Sequence, residues 1–223
     1  MKPKTHRLIG LFTFVLAMLG FSLSAQAQQV CGPEVKEAAA KELAEIATLP
    51  EQEQAEAQAK LYEKYKFCLQ EAAEPEFHVA ARQCGARVSQ LGSTYFEEMS
   101  CCGYDPQRRQ FGCPVKIKQR FGFGGAPLPG SREYVLNCVA DQNGVLQPVG
   151  VDSVHLANEI FGVQPTWQFA VIASANQNLQ LVQPMSGATR QARSILSWGL
   201  QPTNCNYQPI WGNALNYRIR LDQ

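Results

Sequence analysis

The side chains able to do chemistry in this 223-residue chain are few: eight cysteines and, beyond residue 27, two histidines, His78 and His155. A cysteine hydrolase needs a thiolate beside an imidazole, and Cys138 with His155 is the dyad that could supply it. Against it, Cys138 lies in an alternating segment, and an even cysteine count leaves no spare thiol. Neither histidine sits in a nucleophile motif such as G-x-S-x-G or S-x-x-K. The adjacent Cys101 and Cys102 lack the C-x-x-C spacing of a thiol oxidoreductase. With no C-x-x-C and no H-x-x-x-H pair, no metal site is expected, nor any cofactor. Glu97 and Glu98 are chain neighbours that would face opposite sides of a strand, poor geometry for an acid and a base flanking one bond. They read as exposed or bridging acids. Residues 122–130, GFGGAPLPG, lack the lysine and hydroxyl of a phosphate-cradling loop and open no helix, which argues against a nucleotide.

Two surfaces suit binding better than catalysis. Residues 201–213, QPTNCNYQPIWGN, mix aromatic rings with amides directly after Trp198. Rings stack on apolar C–H faces while amides bond hydroxyls or peptide groups, so Trp198, Asn204, Asn206, Tyr207, Trp211 and Asn213 form a candidate ligand surface. The competing reading has these rings plugging the end of the fold, where tryptophans usually lie. The second surface is basic. Lys116, Lys118 and Arg120 alternate along a strand-like segment, with Arg108 and Arg109 nearby, and such a ridge could grip a polyanion such as lipopolysaccharide phosphate. Lysines on an edge strand also serve simply to prevent mispairing, and nucleic acid is not the favoured partner.

The elements that must position these residues follow a leader. Residues 1–27 read as a secretion signal: Lys2, Lys4 and Arg7 precede an apolar run over 8–23, and Ala25-Gln26-Ala27 offers small residues for cleavage. No other apolar segment approaches the roughly 20 residues of a membrane span. All eight cysteines follow the cut, and an even count in an oxidising compartment predicts disulfides throughout: Cys31, Cys68, Cys84, Cys101, Cys102, Cys113, Cys138 and Cys205. The periplasm or the exterior of a bacterium is the expected location.

Charge divides the remainder. Residues 32–76 carry 11 acids and five lysines, whereas residues 77–223 carry 12 bases and eight acids. The first region, 31–75, is rich in Ala, Glu, Gln, Lys and Leu, broken at Leu49-Pro50, and predicts two antiparallel helices. Their apolar stripes would be Val35, Ala39, Leu43 and Ile46, then Ala55, Ala59, Tyr62, Tyr65 and Leu69. Folding this segment in half brings Cys31 beside Cys68, predicting a disulfide-closed helical hairpin.

The second region, 76–223, is strands and turns. Tyr104-Asp105-Pro106 is turn chemistry, so residues 94–102 and 111–121 are expected to form a hairpin centred on Gln107, which would pair Cys101 with Cys113. Asn143-Gly144 signals a second hairpin, and Pro148 demotes the following strand to an edge or a bulge. Asp152 is expected to cap a short helix over 153–161, residues 167–174 and 179–183 to form another hairpin, and residues 192–200 a strand. The alternation of Leu215, Tyr217, Ile219 and Leu221 marks a half-buried final strand. Cys138 and Cys205 make a plausible long-range bridge.

The fold class expected is α+β: the hairpin followed by an antiparallel β-rich domain, a sandwich or partly open barrel. The function expected is an exported, non-enzymatic binding or assembly module of the bacterial envelope, its partner an envelope protein or a glycan. The alternatives are a secreted hydrolase with a cysteine or carboxylate site, and a self-associating surface or filament subunit.

Overall fold

The computed structural model describes residues 32–69, 75–124, 130–158, 167–183 and 187–222. Helix α1, Pro33–Ile46, opens with proline in its first turn, where the missing N–H costs nothing. After a turn, Pro50 starts helix α2, Glu51–Leu69, its carbonyl accepting from the Glu53 and Gln54 amides. Ala39, Leu43 and Ile46 of α1 are buried as the stripe predicts. On α2 the buried face is Gln58, Leu61, Tyr65 and Cys68, while Ala55 and Ala59 are exposed. The stripe is rotated from the expected one because Leu61 and Tyr65 bury far more apolar area than the alanines could. Glu42 accepts from Lys64 Nζ at 2.6 Å and from Tyr65 OH at 2.7 Å, joining the two helices. Cys68 is disulfide-bonded; Cys31, its expected partner, lies outside the described residues.

The second region opens not with a strand but with helix α3, Pro75–Gln83, and Gly85, at φ +69°, turns the chain into β1, Arg87–Leu91. Two antiparallel sheets follow. The first has the order β1-β9-β8-β5-β6, from β5, Ser131–Ala140, β6, Leu146–Leu156, β8, Thr189–Trp198, and β9, Asn213–Arg220. The second has the order β2-β4-β3, with β7 also paired to β4; its strands are β2, Glu97–Glu98, β3, Gly103–Asp105, β4, Gln110–Ile117, and β7, Trp167–Ser174. β4 buries Phe111, Cys113, Val115 and Ile117 and turns the alternate residues outward. One continuous buried cluster runs from Leu43 and Leu61 on the helices to Phe96, Val115, Leu196 and Trp211 in the β region. Gln58, 1% exposed, donates to the Trp198 carbonyl at 3.3 Å, and Tyr62 packs edge-on against Trp211 at 5.9 Å.

The β5–β6 hairpin turns where Asn143-Gly144 predicts. Asp141 Oδ1 accepts from the Asn143 and Val145 amides at 2.8 and 2.9 Å, and Gly144 takes φ +81°. Pro148 lies on the edge strand, opposite Cys138 beside a register shift. Two expectations fail nearby. Residues 153–156 continue β6 instead of opening a helix, because the ladder with β5 runs on to Ser131 opposite Leu156, and tertiary pairing outweighs the local cap signal of Asp152; residues 159–161 lie outside the described residues. Residues 179–181 form a 3-10 turn rather than a strand, and β7 pairs instead with β4 along its whole length, from Gln110 opposite Ser174 to Ile117 opposite Trp167.

The first hairpin keeps the expected centre at its far end, with Glu97 opposite Ile117 and Glu98 opposite Lys116, but is displaced next to its turn. β3 pairs with β4 with Gly103 opposite Gly112, Tyr104 opposite Phe111 and Asp105 opposite Gln110, so its centre falls between residues 107 and 108. Asp105 Oδ1 accepts from the Gln107 and Arg108 amides, both at 3.0 Å, and Arg109 adopts a left-handed φ of 56°. This turn shifts the register by half a residue, so Cys102 rather than Cys101 faces Cys113. The disulfide is Cys102–Cys113, with Cα atoms 4.3 Å apart, and Cys101 bonds Cys84, beyond the end of α3. Cys138–Cys205 joins as expected, across 67 residues. Loop-closure entropy predicts that replacing Cys138 and Cys205 together by alanine lowers unfolding free energy by about 4 kcal/mol, against about 3 kcal/mol for Cys102 and Cys113 by the same relation; urea denaturation of the variants measures both.

Candidate functional site

The aromatic and amide residues of the 198–213 stretch do not share a surface. Trp198 and Trp211 are each 1% exposed and Asn213 is fully buried. Asn213 clamps the backbone of Met99, its Oδ1 accepting from the Met99 amide at 2.9 Å and its Nδ2 donating to the Met99 carbonyl at 2.8 Å. The Trp211 ring packs against Phe96 at 5.8 Å. Asn204 and Asn206 are exposed, but Asn204 Oδ1 is engaged by the Asn206 amide. Tyr207 is half-buried, accepting from Ser197 Oγ at 3.4 Å. The large rings point inward because they bury the most apolar area there.

The basic ridge is divided. Lys116 Nζ lies 3.2 Å and Lys118 Nζ 3.7 Å from the two carboxylate oxygens of Glu98. Arg108 and Arg109 are exposed at the β3–β4 turn, with Arg108 Nε 3.9 Å from Asp105. β4 ends at Ile117, so the alternation does not carry Arg120 onto the same face; Arg120 lines a cavity instead.

That cavity, of about 170 Å³, is walled by Ile117, Phe123, Leu156, Trp167 and Phe169, with Gln119, Arg120 and His155 as its polar members. Trp167 stays 43% exposed beside it. Arg120 Nε is buried with no hydrogen-bond partner. A second cavity, of about 360 Å³ and more polar, is lined by Gln54, Gly130, Ser131, Arg132, Tyr134, His155 and Gly199. His155 lines both, so an apolar compartment and a polar one meet at its ring. Arg132 donates to Ser153 Oγ at 3.1 Å. Gly130 is required here, since any Cβ would collide with the Leu156 carbonyl and the His155 ring. Among the described residues neither lining contains a carboxylate. Sequence reading missed this cleft because its residues come from separated segments brought together by the β4–β7 and β5–β6 registers. Arg120 and His155 were singled out, each for another role.

Catalytic arrangements fare poorly among the described residues. Cys138 is fully buried and bonded to Cys205, which removes the thiolate a Cys138–His155 dyad requires. Ser131 Oγ is buried without a hydrogen-bond partner, so no serine–histidine bond forms in the cleft. His78 packs on Phe77 of α3. No three His, Cys, Asp or Glu side chains gather into a metal-binding group among the described residues.

The least expected feature is a pair of buried acids. Glu97 of β2 and Glu133 of β5 are both 0% exposed, and no oxygen of either carboxyl has a hydrogen-bond partner. The reading of Glu97 as an exposed or bridging acid is therefore wrong; only Glu98 bridges. Burial pushes Glu97 up to about 8, with Lys118 pulling the other way. Burial also drives Glu133 well above the usual range, and the charge of Glu97 raises it further. Desolvation dominates because an isolated carboxylate in apolar surroundings loses its hydration without replacement. Burial thus favours the protonated form of both acids. Neither lines either of the two cavities described above. No protein-family model and no curated protein matches the chain.

The acid pair predicts the pH dependence of stability. The unfolded chain releases the Glu97 proton near the ordinary glutamate value of 4.5, whereas the folded protein holds it to about 8. The stabilisation this proton linkage contributes is full below 4.5 and is lost as pH rises from 4.5 through 8. Unfolding free energy should therefore fall between pH 5 and pH 9, by on the order of a few kcal/mol. Glu97→Gln should flatten the profile and stabilise the protein at pH 9, as denaturant titrations at several pH values will show.

Proposed function

We propose that this chain is an exported, disulfide-stabilised binding module of the bacterial cell envelope, holding its ligand in the two-part cleft that meets at His155. The observation that carries this reading is the cleft itself: an apolar compartment next to a polar one, on a frame braced, among the described residues, by three disulfides. Ligand sites typically combine apolar walls with a few placed polar groups. Disulfides belong to oxidising compartments, in keeping with a signal over 1–27. Behind it come a disulfide-closed helical hairpin over 31–75 and an antiparallel sandwich or partly open barrel over 76–223. No helix of the described residues is long and apolar enough to cross a membrane.

Fractionation of an expressing bacterium should recover the mature chain, starting at Gln28, by osmotic shock, as N-terminal sequencing will establish. A thermal-shift screen of small acids, neutral compounds and bases should find a class that raises the melting temperature of the mature protein. Gly130→Ala, which forces the His155 ring aside, should abolish that shift. A cytoplasmic product that keeps residues 1–27, or a screen in which no compound class stabilises the protein, overturns the reading.

A further inference from the structure

The geometry points to a ligand class for this cleft: a small carboxylic acid with an apolar body of one ring or a short chain, its carboxylate on Arg120 and its body among Phe123, Trp167 and Phe169. This inference rests on the reading that the cleft is a binding site. The size of the apolar compartment sets the body. At about 170 Å³ it lies below the roughly 300 Å³ at which drug-sized pockets begin, yet it exceeds the ~30 Å³ share of one water several times over. A single ring or a chain of a few carbons fills it.

Arg120 sets the charge. Its Nε–H is buried without an acceptor, and a buried donor left unpaired is costly. The guanidinium that carries it lines the cavity, where its positive charge calls for an anion. Among the described residues the lining supplies no carboxylate, so none of them gives the guanidinium charge a counterion in the cavity wall. One planar guanidinium matches a planar carboxylate through two parallel hydrogen bonds. A phosphate dianion calls for more positive charge than one arginine provides, and the next arginine, Arg132, lines the other compartment and is held by Ser153. Gln119 and His155 remain as further polar groups beside the carboxylate. Cationic ligands are disfavoured by Arg120, and neutral ones leave its charge unmatched.

Fluorescence reads the site directly. Of the three tryptophans, Trp198 and Trp211 are buried and Trp167 is 43% exposed, so quenching by neutral acrylamide reports mainly on Trp167. With the mature full chain, phenylacetate and hexanoate should protect against quenching in a saturable way, and Trp167→Phe should remove the signal. Phenylacetamide and phenethylamine should bind at least tenfold more weakly than phenylacetate, and inorganic phosphate should not compete with it. Arg120→Met should weaken phenylacetate binding at least tenfold and leave phenylacetamide unchanged. Equal binding of the acid and its amide, or competition by phosphate at matched concentration, overturns the carboxylate assignment while leaving the cleft as a binding site. Absence of protection by the acid, the amide and the amine alike overturns the cleft reading itself. The acid–amide comparison is made on the unmodified protein, so it stands even if Arg120→Met fails to fold.

Discussion

The register between β4 and β7 is the constraint on which most of this molecule depends. Eight residue pairs run from Gln110 opposite Ser174 to Ile117 opposite Trp167. They fix β4 between β7 on one side and β2 and β3 on the other. The consequences reach both ends of the strand. At one end, Trp167 stands beside Ile117 and completes the apolar wall of the cleft. At the other, Arg109 accepts the Ala175 amide through its carbonyl at 2.8 Å, closing the turn that decides which cysteine faces Cys113. Because side chains alternate with a period of two, a slip of one residue would turn Phe111, Cys113, Val115 and Ile117 from the core to solvent. Few single errors would undo so much at once.

What the sequence made legible was local. Asn143-Gly144, Pro148 and the alternation of the last strand each carry their meaning within a few residues, and each is found where it points. Cys138 and Cys205 were readable as a pair because one sits in a strand and the other in a loop. The failures came where a distant partner decided the outcome. Asp152 looks like a helix cap until β5 offers its neighbours a ladder. The spacing of Cys101 and Cys113 about Gln107 suggests a bridge until Arg109 adds the residue that moves the centre. Ala55 and Ala59 lie on an apolar stripe, yet α2 turns Leu61 and Tyr65 inward.

The site shows the same division more sharply. Arg120 and His155 are 35 residues apart in a chain with no motif linking them, and only the ends of two hairpins bring them to one cavity. Glu97 and Glu133 were even less accessible to reading, since nothing local separates a buried acid from a solvated one. Glu98, one residue away, is also buried at 7% exposed, but it bridges two lysines. Glu97 faces the core only because a strand must send alternate residues to opposite sides. The tryptophans were misread as ligand platforms for a related reason: composition records that rings and amides are neighbours, whereas burial decides which of them meet solvent.

The three disulfides seen here lie one after another along the chain and do not interleave: 84 with 101, 102 with 113, 138 with 205. Each therefore closes its own ring. A protease that severs the backbone once inside any ring frees no fragment, because the two halves stay joined through sulfur. Most of the chain from 84 to 205 is covered in this way, with the stretch between 113 and 138 as the gap, and much of that gap is strand. In surroundings crowded with secreted proteases, such a molecule could be nicked at its exposed turns and still remain one covalent body.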